Sequence, residues 1–231
     1  RKIMKNIGIL KFFMALVIAC LFMTCDPGLG KAVDTQAPKV EVKEPATKSV
    51  LKGGFTMTGV ASDEVNVASC EVTFSLIKNP EIKYHCNATV AGDEFSVAIN
   101  NPKADGSFEI PDGDYNVTVT VSDAYRNSTT DVVYTIDNTA PTVLLTSPNS
   151  YSESNWPNMY KTFNIKGEVY DATTIQTVTV YLVDENGTIL KEVIADGTNT
   201  FLANFEEPFP EEKLCFYYAV AKDAGGNVNT Y

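Results

Sequence analysis

The sequence predicts an all-β protein in which two similar β-sandwiches follow one another along the chain, after an N-terminal export segment. Apolar and polar residues alternate in short runs, which is the pattern of strands with one buried face. Thr, Val, Tyr and Asn are frequent, whereas long runs of Ala, Leu, Glu and Lys, which favour helices, are absent. A set of short motifs occurs twice in the same order, about 100 residues apart, which indicates a duplicated domain.

The first 24 residues have the pattern of a signal peptide. Residues 1–11 are basic, and residues 12–24 (FFMALVIACLFMT) are almost wholly apolar. This apolar run is too short for a membrane-spanning helix, which needs about 20 residues. We therefore expect residues 1–24 to be removed on export, and an ordinary signal peptide or an uncleaved apolar anchor remains the alternative.

An apolar core that ends on cysteine resembles the signal of bacterial lipoproteins, in which that cysteine is lipidated and becomes the first mature residue. Residues 17–20 (VIAC) match the usual motif better, because a small alanine precedes Cys20. Lipidation at Cys25 instead leaves a polar tether, residues 25–36, and discards the apolar residues before it. We predict Cys25, with Cys20 as the alternative. The resemblance implies an exported protein held by its lipid in a bacterial membrane, at the outer membrane or cell surface.

The repeated motifs divide the rest of the chain into two domains. Residues 34–38 (DTQAP) recur as DNTAP at 137–141, and residues 55–59 (FTMTG) recur as FNIKG at 163–167. VSDA at 121–124 likewise recurs as AKDA at 221–224. The predicted domains are residues 37–137 and 138–231.

Each copy divides into short alternating runs separated by turn residues such as Gly, Pro, Asn and Asp. Seven short strands in about 100 residues indicate an immunoglobulin-like sandwich. We expect the second sandwich to be incomplete, with its last strand cut short in a fragment of a longer reading frame. The predicted strands are 39–43, 55–61, 70–77, 83–90, 94–99, 114–122 and 129–136, then 142–146, 162–169, 175–184, 189–194, 200–205, 214–221 and a strand opening at 227.

The D-x-x-A-P linkers and the A-x-x-D-x-x-G-N-like endings resemble the immunoglobulin-like repeats of bacterial surface and adhesin-like proteins. The resemblance covers residues 34–231 and implies a non-enzymatic stalk or an adhesion and interaction module. Two alternatives remain open. One is the N-terminal accessory region of a larger exported enzyme, such as a glycan-active hydrolase, and the other is a small carbohydrate-binding module.

Charge and residue content exclude several function classes. The formal net charge is −11, and a chain beginning at Cys25 has 14 basic against 29 acidic residues, or −15. Such a surface repels nucleic acid. His85 is the single histidine, and its strand position predicts a solvent-facing side chain with no positioned catalytic partner. We predict no enzyme activity and no catalytic residue, and an extracellular protein or glycan as the ligand.

Aspartates at equivalent positions of the two copies suggest a cation site. They precede the first strand, follow the second and follow the sixth, and these three points lie at one end of an immunoglobulin sandwich. Ca²⁺ binds six to eight oxygens, several of them from carboxylates. The alternative is that each aspartate braces a turn. The residues are Asp34, Asp63 and Asp123 in the first copy, and Asp137, Asp171 and Asp223 in the second.

Two further groups complete the sequence predictions. Tyr151, Trp156 and Tyr160 lie in a long loop of the second copy and are candidates for carbohydrate contact, against the alternative of local packing. The internal cysteines, Cys70, Cys86 and Cys215, are expected to be small hydrophobic residues without disulfides.

Overall fold

The computed structural model describes residues 34–148, 162–209 and 214–231. The chain separates into an N-terminal unit, residues 1–35, and a second unit, residues 36–231, which contains both sandwiches. The predicted signal peptide, Cys20 and Cys25 lie outside the described residues, as do Tyr151, Trp156 and Tyr160. Within the described ranges, no helix has the length and apolarity needed to cross a membrane.

The first sandwich consists of two facing antiparallel sheets whose strands alternate between buried and exposed residues. One sheet has the order β1-β3-β7-β6 and the other the order β2-β9-β8-β4-β5, with β2 parallel to β9. This is the arrangement of an immunoglobulin-like sandwich, with short additional edge strands. The strands are β1 (Lys39–Glu44), β2 (Val50–Leu51), β3 (Phe55–Ser62), β4 (Ser69–Leu76), β5 (Lys83–Asn87), β6 (Thr89–Ala91), β7 (Glu94–Ile99), β8 (Gly113–Ser122) and β9 (Asn127–Ile136).

In its described residues, the second sandwich repeats this plan with fewer edge strands. A sheet of order β10-β11-β14 faces a sheet of order β13-β12-β15-β16. Each sandwich has its own apolar core, built from the inward residues of both of its sheets. The strands are β10 (Thr142–Ser147), β11 (Thr162–Tyr170), β12 (Ile175–Asp184), β13 (Ile189–Ile194), β14 (Thr200–Glu206), β15 (Cys215–Asp223) and β16 (Val228–Thr230).

The predicted fold class is confirmed, and most predicted strands lie within two residues of the observed ones. The prediction of one strand at 83–90 was wrong. The chain crosses between sheets at Ala88, so that β5 pairs with β4 while β6 pairs with β7 in the opposite sheet. The two-residue strand β2 was not predicted, because two residues are too few to show an alternation.

The cysteines of the first sandwich are not joined by a disulfide. Cys86 lies opposite Val72 rather than Cys70, whose carbonyl instead accepts the N–H of Ala88 at 2.9 Å. Cys70 is buried and Cys86 is half-buried, and both contact the apolar core of the first sandwich. Cys215 is half-buried against the core of the second.

Candidate functional site

The linker between the sandwiches is hydrogen-bonded to the first sandwich. It follows β9, and its first residue, Asp137, donates its main-chain N–H to the carbonyl of Leu51 at 2.9 Å. This bond continues the parallel pairing of β2 with β9. The side-chain oxygen of Asn138 accepts a hydrogen bond from the N–H of Gly53 at 2.8 Å. The linker therefore begins as an extension of the first sandwich.

Asp112, which immediately precedes β8, holds the same linker through both of its carboxylate oxygens. Its Oδ1 accepts from the main-chain N–H of Asn138 at 2.7 Å and from the Asn138 side-chain amide at 2.8 Å. Its Oδ2 accepts from the hydroxyl of Thr139 at 2.5 Å. Hydrogen bonds to an ionised acceptor are stronger than those between neutral groups. Two consecutive linker residues are thus fixed to one side chain of the first sandwich.

The second sandwich binds the linker through Asp137. Asn227, between β15 and β16, donates its side-chain amide to the carbonyl of Asp137 at 2.9 Å. The hydroxyl of Thr173, between β11 and β12, donates to Asp137 Oδ2 at 2.5 Å. Asp137 therefore donates its main-chain N–H to the first sandwich and accepts hydrogen bonds from the second through its carbonyl and its carboxylate.

Three carboxylates meet at this junction. Asp137, Asp171 and Asp223 each offer one oxygen within 4.8 Å of the others. Asp137 and Asp223 are buried, with 2% and 0% of their surfaces exposed, and Asp171 is half-buried. Burial raises the pKa of Asp137, hydrogen bonds from Thr173 and Thr139 lower it, and the charges of Asp171 and Asp223 raise it. The arrangement thus concentrates negative charge where water is largely excluded.

The first sandwich carries a corresponding pair. Asp63 and Asp123 offer oxygens within 4.8 Å of each other. The Oδ2 atoms of both residues are buried and have no hydrogen-bond partner, and Asp123 is 9% exposed. Buried polar atoms in proteins are normally satisfied, so these two oxygens require an explanation. Asp34 belongs to the N-terminal unit, and its participation stays a prediction.

The aspartates also brace turns, as the alternative interpretation expects. Asp63 Oδ1 accepts from the N–H of Val65 at 2.9 Å, and Asp123 Oδ1 accepts from the N–H of Arg126 at 2.6 Å. In the second sandwich, Asp171 Oδ1 accepts from the N–H of Thr173, and Asp223 Oδ1 accepts from the N–H of Asn227. In Asp63 and Asp123, bracing uses only Oδ1, so the turn role and a cation role are compatible.

Sequence reasoning missed the residues that hold the linker and the residue that bonds to Asp137 from the second sandwich. Asp112, Asn138, Thr139 and Thr173 were not singled out, although each is a short polar residue that commonly bonds to a nearby backbone. Comparison of the two copies could have singled out Thr173. It follows Asp171 by two residues, and the residue at the same place after Asp63 is Val65. The second sandwich thus has a hydroxyl where the first has an apolar side chain.

His85 occupies a more structured environment than predicted. Its side chain is 56% exposed, as expected for an outward position. The prediction that it lacks a partner was wrong, because its Nδ1 lies 2.6 Å from Glu71 Oε1 and 3.1 Å from Thr73 Oγ1. All three belong to the neighbouring strands β4 and β5, so the contact is a cross-strand surface pair.

Comparisons with known proteins find similar solved structures at low sequence identity. No protein-family model matches the chain, and no curated protein sequence matches it either. Among solved structures, fibronectin(III)-like modules of Clostridium thermocellum CbhA are 14% identical with a TM-score of 0.42, covering 84% of this chain and 90% of theirs. The titin fragment I67–I69 is 11% identical with a TM-score of 0.47, covering 85% and 64%. A tetra-tandem repeat from the extending region of a large adhesion protein is 17% identical with a TM-score of 0.32, covering 84% and 47%.

Proposed function

We propose that the chain is an exported, lipid-anchored protein whose two sandwiches form a non-enzymatic stalk or interaction module at a bacterial cell surface. The observation that carries this proposal is the junction at Asp137, which both sandwiches bind by hydrogen bonds. A junction held from both sides resists bending, because any hinge motion breaks several of these bonds together. A stalk needs this stiffness to hold a distal partner, an extracellular protein or a glycan, away from the membrane.

The lipid anchor is assigned to Cys25, and residues 26–36 serve as the tether. The test is incorporation of an alkyne-tagged fatty acid in a bacterial host, followed by protease treatment of intact cells. Cys25→Ala should abolish labelling, while the matched Cys20→Ala variant should keep it. Protease should release the sandwiches from intact cells that carry the wild-type protein. A wild-type chain that is never labelled would contradict the lipoprotein proposal, and loss of labelling only in Cys20→Ala would move the anchor to that residue.

A divalent cation fits the carboxylate clusters, and Ca²⁺ is the ion we propose. Its preferred ligands are carboxylate and carbonyl oxygens, and Asp137, Asp171 and Asp223 supply three converging carboxylates. Neither the Lys43–Glu94 nor the His85–Glu71 ion pair involves these carboxylates. A cation bound through Asp137 would add a link between sandwich and linker, and so would stiffen the junction.

The unpartnered oxygens of Asp63 and Asp123 support the same ion in the first sandwich. A buried carboxylate oxygen without a donor costs free energy, and a coordinated cation removes that cost. In the second sandwich, Thr173 and Asn227 already satisfy oxygens of Asp137 and Asp223. We therefore expect the cation to raise stability in both sandwiches, with the larger effect in the first.

Thermal melting in millimolar Ca²⁺ and in chelator tests the cation. Ca²⁺ should raise the melting temperature, since a ligand that binds only the folded state stabilises it. Asp171→Asn and Asp63→Asn should each reduce this shift. The control is Asp105→Asn, because Asp105 braces an exposed turn to Ser107 outside both clusters. Equal melting temperatures in Ca²⁺ and in chelator would exclude the ion while leaving the stalk proposal intact.

A further inference from the structure

The second sandwich presents an apolar surface on the solvent side of its sheet β13-β12-β15-β16. We define the tyrosine face as the outward residues of β13, β12 and β15. Ile194 is 71% exposed, Ile189 52% and Phe216 48%. Scattered exposed apolar residues are normal, but a contiguous group on one sheet marks an interaction site. The face comprises Tyr181, Ile189, Glu192, Ile194, Phe216, Tyr218 and Val220 around the buried Val183 (8% exposed), with Thr177, Thr179 and Lys222 at its margin.

Strand register places these side chains next to one another. Tyr181 of β12 lies directly opposite Tyr218 of β15, and their rings stack with centroids 5.0 Å apart at 20°. Val183 lies opposite both Phe216 and Ile189. Outward residues opposite each other in a sheet are in contact range, so the apolar side chains form a continuous surface.

The first sandwich provides an internal comparison. Its outward pair at the position of Tyr181 and Tyr218 is Thr73 opposite Thr118. The pair at the position of Val183 and Phe216 is Ser75 opposite Asn116. A solvated sheet face is normally polar, and the first sandwich follows that rule. Because the two sandwiches share a fold and register, the apolar face is a property added to the second one rather than a requirement of the fold.

We propose that the tyrosine face binds a second copy of this chain, so that two chains associate sheet to sheet through their second sandwiches. Two-fold contacts use the same patch on both partners, and one self-complementary face is therefore sufficient. Sheets that pack face to face do so through interdigitating apolar side chains. Tyr and Phe are also residue types that contribute strongly at interface centres.

Charge favours a second copy as the occupant. The chain has a formal net charge of −11, which opposes self-association over most of its surface. The tyrosine face and its margin carry one acid, Glu192, and one base, Lys222, whose charges cancel. A second copy thus meets no net repulsion at the tyrosine face.

The size of the face sets the expected affinity. Strands about 4.8 Å apart and four rows of outward residues about 6.8 Å apart give a face on the order of 500 Å². Two such faces bury about 1,000 Å² together, the lower limit for a specific interface. We therefore expect a concentration-dependent dimer with a dissociation constant on the order of 10–100 μM.

Sedimentation equilibrium of the full-length chain in density-matched detergent, from about 1 to 500 μM, tests the proposal. The wild type should pass from monomer to dimer within this range. Tyr218→Thr and Phe216→Asn restore the residues of the first sandwich, Thr118 and Asn116. Each should weaken the dimer at least about thirtyfold, because a two-fold interface loses the side chain twice.

The control is Val133→Thr, since Val133 is an exposed apolar residue (37%) on the corresponding sheet of the first sandwich. It should leave the dissociation constant unchanged, and all variants should melt within a few degrees of the wild type because the altered side chains face solvent. A wild-type chain that remains monomeric over the whole range would overturn the proposal. So would a dimer that Tyr218→Thr and Phe216→Asn leave equally tight, because it would form elsewhere. Neither result would bear on the lipid anchor or on the cation.

Discussion

The side-chain amide of Asn227 donates one hydrogen bond to the main-chain carbonyl of Asp137 and another to the carboxylate of Asp223, each at 2.9 Å. Asp137 follows directly after the last strand of the first sandwich, and its N–H bonds to Leu51 there. A single buried amide thus ties the end of one sandwich to the turn between β15 and β16 of the other. Bending of the junction has to break this contact.

Asn227→Ala should destabilise the protein by about 2–4 kcal/mol, because it leaves two buried acceptors without a donor. Urea unfolding measures the change. Asn127, the counterpart in the first sandwich, is exposed and is the matched control. Asn127→Ala should change the free energy of unfolding by no more than about 0.5 kcal/mol. Equal effects of the two substitutions would show that Asn227 has no special role at the junction.

Asp112→Ala should loosen the junction while leaving each sandwich folded. The substitution removes the carboxylate that holds Asn138 and Thr139, and it lies at an exposed turn outside both cores. Nitrogen-15 relaxation should give a common rotational correlation time for the wild-type sandwiches and two different times for the variant. Asp105→Ala, which alters an exposed turn away from the linker, should behave as the wild type. A variant that still tumbles as one body would mean that other contacts suffice.

Local patterns were sufficient to predict the fold. Alternation at Val117, Val119 and Val121 predicted β8, and these three residues are fully buried in the first core. A strand with one buried face has alternating apolar and polar residues at neighbouring positions, so a single sequence reveals it. The repeat then transferred the interpretation to the second copy, whose described residues form counterparts of seven of the nine strands in the same order.

The site was less accessible to sequence reasoning because its contacts join residues far apart in the chain. Asn227 and Asp137 are 90 residues apart, and Asp112 and Asn138 are 26 apart. No local pattern specifies such pairs. The tyrosine face was missed for a related reason. Tyr181 and Tyr218 become neighbours only through the register of β12 with β15.

Asp137 should make stability depend on pH in the absence of a cation. Burial raises its pKa above the unfolded value of 3.8, with Asp171 and Asp223 contributing in the same direction. The contribution of Asp137 to the free energy of unfolding is therefore greatest below pH 3.8 and is lost as the pH rises through its folded-state pKa. In chelator, the free energy of unfolding of the wild type relative to Asp137→Asn should fall as the pH is raised from about 3.5 to 7. Urea titrations at several pH values measure this difference.

Asp105 is the control, because its contribution to stability should depend on pH in the opposite direction. Hydrogen bonds from Ser107 lower its pKa below 3.8, so its contribution is present above that pH and is lost as the pH falls through the folded-state pKa. The difference between wild type and Asp105→Asn should therefore rise with pH, by a small amount because the site is exposed to solvent. A flat profile for Asp137→Asn would mean that its carboxylate is already compensated in the folded chain.

Gly59→Ala should be among the most destabilising single-methyl changes in the first sandwich. Gly59 of β3 lies opposite Phe95 of β7, and a Cβ atom there would be 2.0 Å from the carbonyl oxygen of Glu41 and 2.5 Å from the Phe95 ring. The backbone of β1 would have to move, which we expect to cost about 3 kcal/mol. Gly92→Ala is the control, because its Cβ would meet nothing within 4 Å and only the positive φ of 60° opposes it, at about 1 kcal/mol. Urea unfolding distinguishes the two, and an effect at Gly59 no larger than that at Gly92 would show that β1 moves at little cost.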